Sequence, residues 1–312
     1  MKRKVIFDCD PGLDDALALL LALASDELDV IAVTTIAGNS TIENTTQNAL
    51  NLLEFYGKET IPVAKGSSNP ILGRFNSGSH VHGSTGIGGV ELPKAKSQCD
   101  SRRAHELIAQ EILKSEEKVT IIATGPLTNV GMAISLYPEI LDNIEMISLM
   151  GGSVNVGNVS AVAEANCKND PEAAHIVFNS GARIAMFGLN VTYQTTIKPS
   201  EMEEIRNIGG KYAQAAADFL TYHFESYKVL PYFDGDPSHD SCAVAYLLKP
   251  EIFKMEELNV VVDLSGHYSR GQTIIDLHKV TGRKENALVA LSSNREMFVQ
   301  LLKDSIIKLS SR

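Results

Sequence analysis

The chain has 312 residues, of which 44% are hydrophobic and 21% are charged, as in an ordinary globular protein. Its formal net charge of −10 argues against a nucleic-acid or membrane-surface binder, because such proteins need clustered Lys and Arg. Four scattered cysteines without a CxxC pair favour free thiols in a reducing compartment. We therefore expect a cytoplasmic protein whose ligand is a small neutral or cationic molecule, or a metal ion.

Apolar strand-like runs alternate with helical periodicity over the first two-thirds of the chain. This alternation predicts an α/β fold with an open, mostly parallel, Rossmann-like sheet and helices on both faces. Ligands of such sheets bind beyond the carboxyl ends of the strands, so the active site is expected there. The predicted strands are 5–7, 30–36, 60–64, 119–123, 144–150 and 183–189, and the predicted helices are 15–25, 44–56, 102–115, 127–137 and 171–179.

The long stretch 66–97 is rich in Gly, Ser, Asn and Pro. A loop of this length inside a compact domain is usually functional, and we expect a mobile flap over the ligand. No internal repeat or linker is visible, which favours one domain over 1–312. The remaining predicted elements are helices over 200–228, 242–248 and 294–309, and strands at 258–263, 273–277 and 287–291.

Four carboxylates lie at the junction of the first strand and the first helix: Asp8, Asp10, Asp14 and Asp15. A helix N-terminus favours one acidic residue, but it does not account for four. Carboxylates packed together raise each other's pKa unless a cation compensates them. Hard divalent ions such as Ca²⁺ or Mg²⁺ take oxygen ligands of this kind, and no Cys/His cluster suggests zinc.

Two further polar clusters lie later in the chain. The Gly/Pro loop DGDPSHD contains His239 and Asp240 just before a predicted helix, and a His flanked by acids is a candidate for proton transfer. The second cluster holds Asn158, Glu164 and Asn166. Amides and a carboxylate at this density suit hydroxyl recognition, as in sugar binding, although the same residues equally suit a turn and a helix cap.

Together these segments resemble the inosine-uridine-preferring nucleoside hydrolase family. The matching motifs follow in the family's order from Asp8 to Asp240. The resemblance implies hydrolysis of the N-glycosidic bond of ribonucleosides of the uridine, cytidine and inosine class. It also implies one Ca²⁺ and a homodimer or homotetramer. The motifs are DCDPGLDD, AGN ending at Asn39, TGPLTN at 124–129, MGG at 150–152, AEAN with DPEAA over 163–174, and HD at 239–240.

The resemblance also implies roles for individual residues. Ca²⁺ would be bound by the carboxylates of Asp10, Asp15 and Asp240 and by the carbonyl of Thr124. The ion would hold the ribose 2′- and 3′-hydroxyls and a water, for which Asp10 would be the general base. His239 is the best candidate for the acid that protonates the leaving base. The other implied substrate contacts are Asp14 and Asn166 at the ribose hydroxyls, Asn158 and Glu164 on the 5′ side, Asn39 at the water and ribose, Met150 in the MGG motif, and His82 and Tyr227 at the base.

The implied reaction fits the charge of the site. Breaking a ribosyl C–N bond builds positive, oxocarbenium-like charge on the sugar, which carboxylates stabilise. The chain departs from many members at Ala165, where they carry Phe, and it contains no Trp. Aromatic faces for the base would then come from Tyr222, Tyr227, Tyr232 and Phe233. These departures favour a pyrimidine-preferring or mixed enzyme.

Two other interpretations stay open from the sequence. A haloacid-dehalogenase-type phosphohydrolase also begins with a strand ending in Asp-x-Asp, here Asp8 and Asp10, and uses a divalent ion. That class usually continues with Gly-Thr, where this chain has Pro11-Gly12. A non-catalytic, calcium-dependent nucleoside- or ribose-binding protein is the second alternative. It needs neither a general base nor an acid such as His239.

Overall fold

The computed structural model describes residues 2–227 and 234–311, without the side chain of Tyr227. The strands in these ranges are β1 (Arg3–Cys9), β2 (Leu28–Thr35), β3 (Val63–Lys65), β4 (Val119–Ala123), β5 (Ile144–Met150), β6 (Ile184–Phe187), β7 (Thr196–Ile197), β8 (Asp236–Pro237), β9 (Phe253–Leu258), β10 (Val260–Val262), β11 (Thr273–Ile275) and β12 (Ala287–Ser293).

The helices alternate with these strands as the sequence predicts. They are α1 (Leu13–Ala24), α2 (Ile42–Phe55), α3 (Ser79–His82), α4 (Ala104–Lys114), α5 (Thr128–Leu136), α6 (Ala165–Asn169), α7 (Pro171–Phe178), α8 (Leu189–Thr192), α9 (Pro199–Ile208), α10 (Gly210–Tyr227), α11 (Ser241–Leu248) and α12 (Arg295–Ser310).

Among the described residues, eight strands form one sheet in the order β3-β2-β1-β4-β5-β6-β12-β9. Neighbouring strands run parallel except for β9, which pairs antiparallel with β12 at the edge. The strand order reverses beside β1, since β2 lies on one side of it and β4 on the other. Such a reversal opens a crevice at the carboxyl ends of the strands. The predicted Rossmann-like α/β fold is confirmed.

Helices cover both faces of the sheet. Val5, Phe7 and Cys9 of β1 pack into one apolar cluster, while Ile6 packs into the other, because successive strand residues point to opposite faces. On the first face, α1 contacts α10, α11 and α12. This explains why every residue of α1 is buried and why its sequence is apolar all round.

Some predicted elements differ from the observed ones. The helix expected over 200–228 is two helices, α9 and α10, because Gly209 and Gly210 have φ of +82° and +81°, a conformation that favours glycine and ends a helix. Lys228 lies outside the described residues. The strand expected at 258–263 is divided between β9 and β10. None of the described helices is long and apolar enough to cross a membrane.

Candidate active site

A cavity of about 570 Å³ opens at the carboxyl ends of the central strands. Its volume is in the range of sites for small organic ligands. The residues of this cavity come from segments far apart in the sequence, which the parallel sheet brings together. The residues predicted from the sequence that line it are Asp14, Asn39, His82, Thr124, Met150, Asn158, Glu164, Asn166, His239 and Asp240.

The aspartate turn after β1 forms the floor beneath this cavity. Asp8 is fully buried, and its Oδ1 accepts hydrogen bonds from Thr34 Oγ1 at 2.6 Å and from Asn129 Nδ2 at 2.8 Å. Burial raises the pKa of Asp8 to about 7, against the opposing effect of these two bonds. Asp8 therefore ties β1 to β2 and α5, and it is not one of the residues that line the cavity.

Asp10 and Asp15 are held by Asn39 after β2. The Asn39 backbone N–H donates to Asp10 Oδ2 at 2.7 Å, and Asn39 Nδ2 donates to Asp15 Oδ2 at 3.0 Å. Asp15 Oδ2 also accepts from the Gly12 N–H at 2.9 Å, and Asp15 Oδ1 accepts from Thr124 Oγ1 at 2.7 Å. Three strand ends thus converge on two carboxylates.

These carboxylates are too close to one another to be ionised together without compensation. Burial, followed by the charge of Asp15, raises the pKa of Asp10 well above its usual range. Burial and the neighbouring charge of Asp14 raise the pKa of Asp15 to about 6. Burial and the charges of the other three raise the pKa of Asp240 as well. Such a set is stable as anions only around a cation.

The described residues also leave buried oxygen atoms for such a cation. Asp10 Oδ1 and Asp14 Oδ1 accept no hydrogen bond from any described residue. Asp14, Asp15 and Asp240 each offer an oxygen that lies within 4.8 Å of the others. This group contains Asp14, whereas the set of metal ligands predicted from the sequence contains Asp10 in its place. Carboxylate oxygens at this density fit a hard divalent ion, so the Asp-rich cluster is a potential metal site.

Asn166 connects the carboxyl ends of β4 and β5, which lie on the other side of β1 from β2. Its Nδ2 donates to the Thr124 carbonyl at 2.8 Å and to the Met150 carbonyl at 3.1 Å. A carbonyl has two lone pairs, so the Thr124 oxygen retains capacity for a metal ligand. Asn166 and Met150 therefore lie at one wall of the cavity, and their contacts with a substrate stay predictions.

Glu164 caps the short helix α6. Its Oε2 accepts from the backbone N–H groups of Gly152 at 2.7 Å and Cys167 at 3.1 Å, and its Oε1 accepts from Asn166 N at 2.8 Å. Asn158 Oδ1 accepts from Ala165 N at 2.9 Å. The turn-and-cap interpretation of this cluster is thus present in the structure. Both side chains also line the cavity, and their contact with a 5′-hydroxyl stays a prediction.

The opposite wall contains histidines. His82, on α3 of the long loop, accepts a hydrogen bond at Nδ1 from Leu13 N at 3.2 Å. His239 Nδ1 lies 2.7 Å from Thr192 Oγ1, and its ring packs edge-on against Tyr193 with 5.6 Å between centroids. The side chain of Tyr227 lies outside the described residues, as do Tyr232 and Phe233. Tyr222 lines a different crevice on α10.

Sequence reasoning missed His223. This residue of α10 lines the cavity, and its Nδ1 lies 2.7 Å from Oδ1 of the buried Asp236. A His inside a helical stretch carries no signal of its own. The available signal was Asp236, an acid in the same DGDPSHD loop that contains His239.

Comparison with known proteins agrees with this geometry. The profile of the inosine-uridine preferring nucleoside hydrolases matches residues 5–300. The chain is 42% identical over 307 residues to the pyrimidine-specific ribonucleoside hydrolase RihA of Escherichia coli O81 (strain ED1a), covering 98% of this chain and 99% of the relative. The purine-preferring ribonucleoside hydrolase from Gardnerella vaginalis is 33% identical with a TM-score of 0.92, covering 99% of each chain. For the plant nucleoside hydrolase PpNRh1 enzyme the identity is 32% and the TM-score 0.93, with each chain fully covered.

The fold, the carboxylate-rich cavity and these similarities define a ribonucleoside hydrolase, an enzyme that cleaves N-glycosidic bonds. The chain belongs to the inosine-uridine preferring nucleoside hydrolase family. The resemblance found in the sequence motifs is therefore confirmed. The phosphohydrolase and the non-catalytic binding protein, the two alternatives that the sequence left open, are wrong.

Proposed function

We propose that this enzyme hydrolyses pyrimidine ribonucleosides in preference to purine ones, with a bound Ca²⁺ and with Asp10 as the general base. The observation that carries the proposal is the set of buried carboxylates at the floor of the cavity, in which Asp10 Oδ1 and Asp14 Oδ1 accept no hydrogen bond from the described residues. A buried anion without a partner is costly, so these oxygens call for a cation and for the hydroxyls of a substrate.

The ion would be held by the carboxylates of Asp10, Asp15 and Asp240 and by the Thr124 carbonyl. When bound, Ca²⁺ neutralises the cluster, binds hydroxyl oxygens and lowers the pKa of a water. The hydrogen bonds that Asn39 and Thr124 donate to Asp10 and Asp15 fix the orientation of the carboxylates. The site is therefore preorganised before the ligand enters.

Asp10 is well placed to accept the proton of the attacking water. One of its oxygens is fixed by the Asn39 N–H, which leaves Oδ1 for the proton. Asp14 and Asn166 face the ribose from opposite walls, and Glu164 and Asn158 lie on the 5′ side. Negative charge from the aspartates stabilises the oxocarbenium-like sugar as the C1′–N bond breaks.

The leaving base accepts a proton at the other end of the cavity. His82 and His239, the two histidines predicted from the sequence, both line the cavity. Proton donation of this kind is worth about 10²–10⁴-fold in rate. His239 stays a predicted donor, and His82 a predicted contact of the base.

The pyrimidine preference is supported by the relative of highest identity reported above, which is pyrimidine-specific. It is also supported by the small side chain at Ala165, which lines the cavity where many members carry an aromatic ring. The purine-preferring structural neighbour is less similar, at 33% identity.

Release of ribose from uridine, cytidine, inosine and guanosine, measured as reducing sugar, tests both the metal and the base preference. We expect higher kcat/KM for the two pyrimidine nucleosides, loss of activity after chelation, and recovery with Ca²⁺.

Asp15→Asn should abolish Ca²⁺ binding in calorimetry. Asp142→Asn, at an exposed position between α5 and β5, is the control. Full activity of metal-free Asp15→Asn enzyme would contradict the metal site, and faster inosine hydrolysis would contradict the preference.

The assembly and the compartment belong to the same proposal. Family resemblance supports a homodimer or homotetramer, which sedimentation of the purified chain tests. The four cysteines are unpaired, and three of them are buried, as expected of a cytoplasmic enzyme.

A further inference from the structure

A buried His–Asp pair lies at the base end of the cavity and has no part in the reaction as proposed so far. His223 Nδ1 and Asp236 Oδ1 are 2.7 Å apart, and their side chains are 2% and 0% exposed. Taking two such groups out of water is costly unless they pair closely. A buried pair on the wall of an active site is therefore a candidate for a function.

The surroundings of His223 place it on the leaving-group side. Its ring stacks on His82 with 5.2 Å between centroids, and it lies edge-on to His239 at 6.3 Å. One ligand-type atom of each of Asp14, His82 and His223 lies within 4.8 Å of the others. The imidazole thus lies between His82 of α3 and His239, and near Asp14, a carboxylate predicted to bind the ribose.

In the contacts between described residues, the three histidines differ in the group that lies against Nδ1. His82 Nδ1 accepts from the Leu13 N–H, and His239 Nδ1 pairs with the neutral Thr192 hydroxyl. His223 pairs with a carboxylate. A carboxylate orients an imidazole and stabilises its charged form.

Electrostatics agrees with this difference. Burial lowers the pKa of His82 to about 3. Burial alone would also lower the pKa of His223, but the charge of Asp236 at 2.7 Å, with the charges of Asp14 and Asp15, raises it to about 9.

We propose that His223, held by Asp236, is the catalytic residue that gives the leaving base its proton. The inference rests on the proposed hydrolysis and names the acid of that same site. The C1′–N bond breaks and its electron pair passes to the base. Because the Asp236 carboxylate lies 2.7 Å from Nδ1, the proton comes from His223 Nε2. Water adds to C1′ and loses its proton to Asp10, and solvent returns that proton to His223 after product release.

The test compares uridine with p-nitrophenyl riboside, whose leaving group departs without a proton. His223→Gln should lower kcat on uridine by about 10²–10⁴-fold and kcat on p-nitrophenyl riboside by less than about tenfold. His267→Asn, at an exposed histidine, is the matched control and should leave both rates unchanged. Equal losses on both substrates would overturn the proposal, since His223 would then be structural. The same contrast found in His239→Gln and absent from His223→Gln would overturn it as well.

Asp236→Asn provides a second variant in case His223→Gln does not fold. It keeps a side chain of the same shape but removes the charge that raises the pKa of His223. A raised pKa keeps the ring charged up to about pH 9, so the alkaline fall of kcat/KM should move to lower pH in this variant. Among the described residues, the titratable groups whose contacts or charges act on His223 include Asp14 and Asp15 of α1, His82 of α3, Asp236 of β8, and His239 before α11.

The ¹⁵N shifts of the His223 ring provide a readout that a structural role would not move. The ring should be charged at pH 7.5 in the native enzyme and neutral in Asp236→Asn, and a neutral ring in the native enzyme would overturn the proposal. Each variant is compared with the native enzyme on the nucleoside that the native enzyme hydrolyses best. If that nucleoside is a purine nucleoside, the proposed base preference is wrong, but the test of His223 still applies.

Discussion

Two glycines, Gly38 and Gly125, pack directly against the Asp10 carboxylate. There is therefore no space for a larger side chain at either position. A Cβ on Gly38 would lie 2.1 Å from Asp10 Oδ2, and one on Gly125 would lie 2.7 Å from Asp10 Oδ1. Neither distance is possible without moving the carboxylate. These backbone segments therefore position the proposed general base as directly as its hydrogen bond from Asn39.

We accordingly expect Gly38→Ala to lower kcat by about 10²-fold, because a shift of about 1 Å at a reacting group costs this much. Gly151→Ala is the matched control beside the same cavity, since its Cβ would meet its neighbours at an ordinary 3.5 Å or more. Steady-state hydrolysis of uridine and a thermal melt of each variant measure the effect. Native kcat in Gly38→Ala would show that Asp10 does not need this position.

The site residues fall into two groups according to how far the sequence predicts them. The aspartates were predictable because Asp8, Asp10 and Asp14 are close in the chain, where local crowding is visible. The pairing of His223 with Asp236 was not, because it depends on how α10 packs against β8. Likewise, the hydrogen bonds of Asn166 to two strand ends follow from the sheet order, which no local pattern encodes.

At the scale of elements, strong apolar periodicity predicted most helices and strands. The edge strand β9 was missed over most of its length because its sequence FKMEEL alternates with charge and its middle is largely exposed. Edge strands of this kind resist unwanted pairing, and they lack the apolar run that marks a buried strand. The break between α9 and α10 needed only the Gly209-Gly210 pair, which helical periodicity on either side concealed.

The long loop is attached to α2 by Asn48. Asn48 Nδ2 donates to the Pro11 carbonyl at 3.1 Å and to the Thr85 carbonyl at 2.9 Å, so one buried amide joins the aspartate turn to the loop that carries His82. The mobility of this loop over the base stays a prediction. If it closes on substrate, its attachment to α2 should control how well it excludes water.

Asn48→Ala should therefore raise KM for uridine several-fold, by about the cost of one or two lost hydrogen bonds, and should speed proteolysis within 66–97. A tight nucleoside analogue should slow that proteolysis in the native enzyme. Glu54→Ala, on the last turn of the same helix, is the control for any loss of helix stability. Unchanged KM and unchanged cleavage in Asn48→Ala would argue for a static loop.

At the scale of the whole molecule, the cavity proposed to bind ribose exists only because distant segments meet. Asp14 follows β1, Asn39 follows β2, Thr124 follows β4 and Asn166 follows β5. The β-α alternation predicts a parallel sheet and hence this meeting of strand ends. It does not predict the strand order, which decides that β1 lies between β2 and β4. A single domain over the whole chain stays a prediction.

The convergence on the ribose leads to a last prediction about sugar selectivity. Asp14 Oδ1 is buried and accepts no hydrogen bond from the described residues, so a ribose hydroxyl is its natural donor. A 2′-deoxynucleoside leaves that oxygen desolvated and without a hydrogen bond, and sites built for a hydroxyl reject its absence by about 10⁴-fold. We expect kcat/KM for 2′-deoxyuridine to be lower than for uridine by about this factor. In Asp14→Ala the penalty should shrink, because the unpaired group is gone, although both rates fall. Similar kcat/KM for the two substrates in the native enzyme would mean that Asp14 does not bind the sugar.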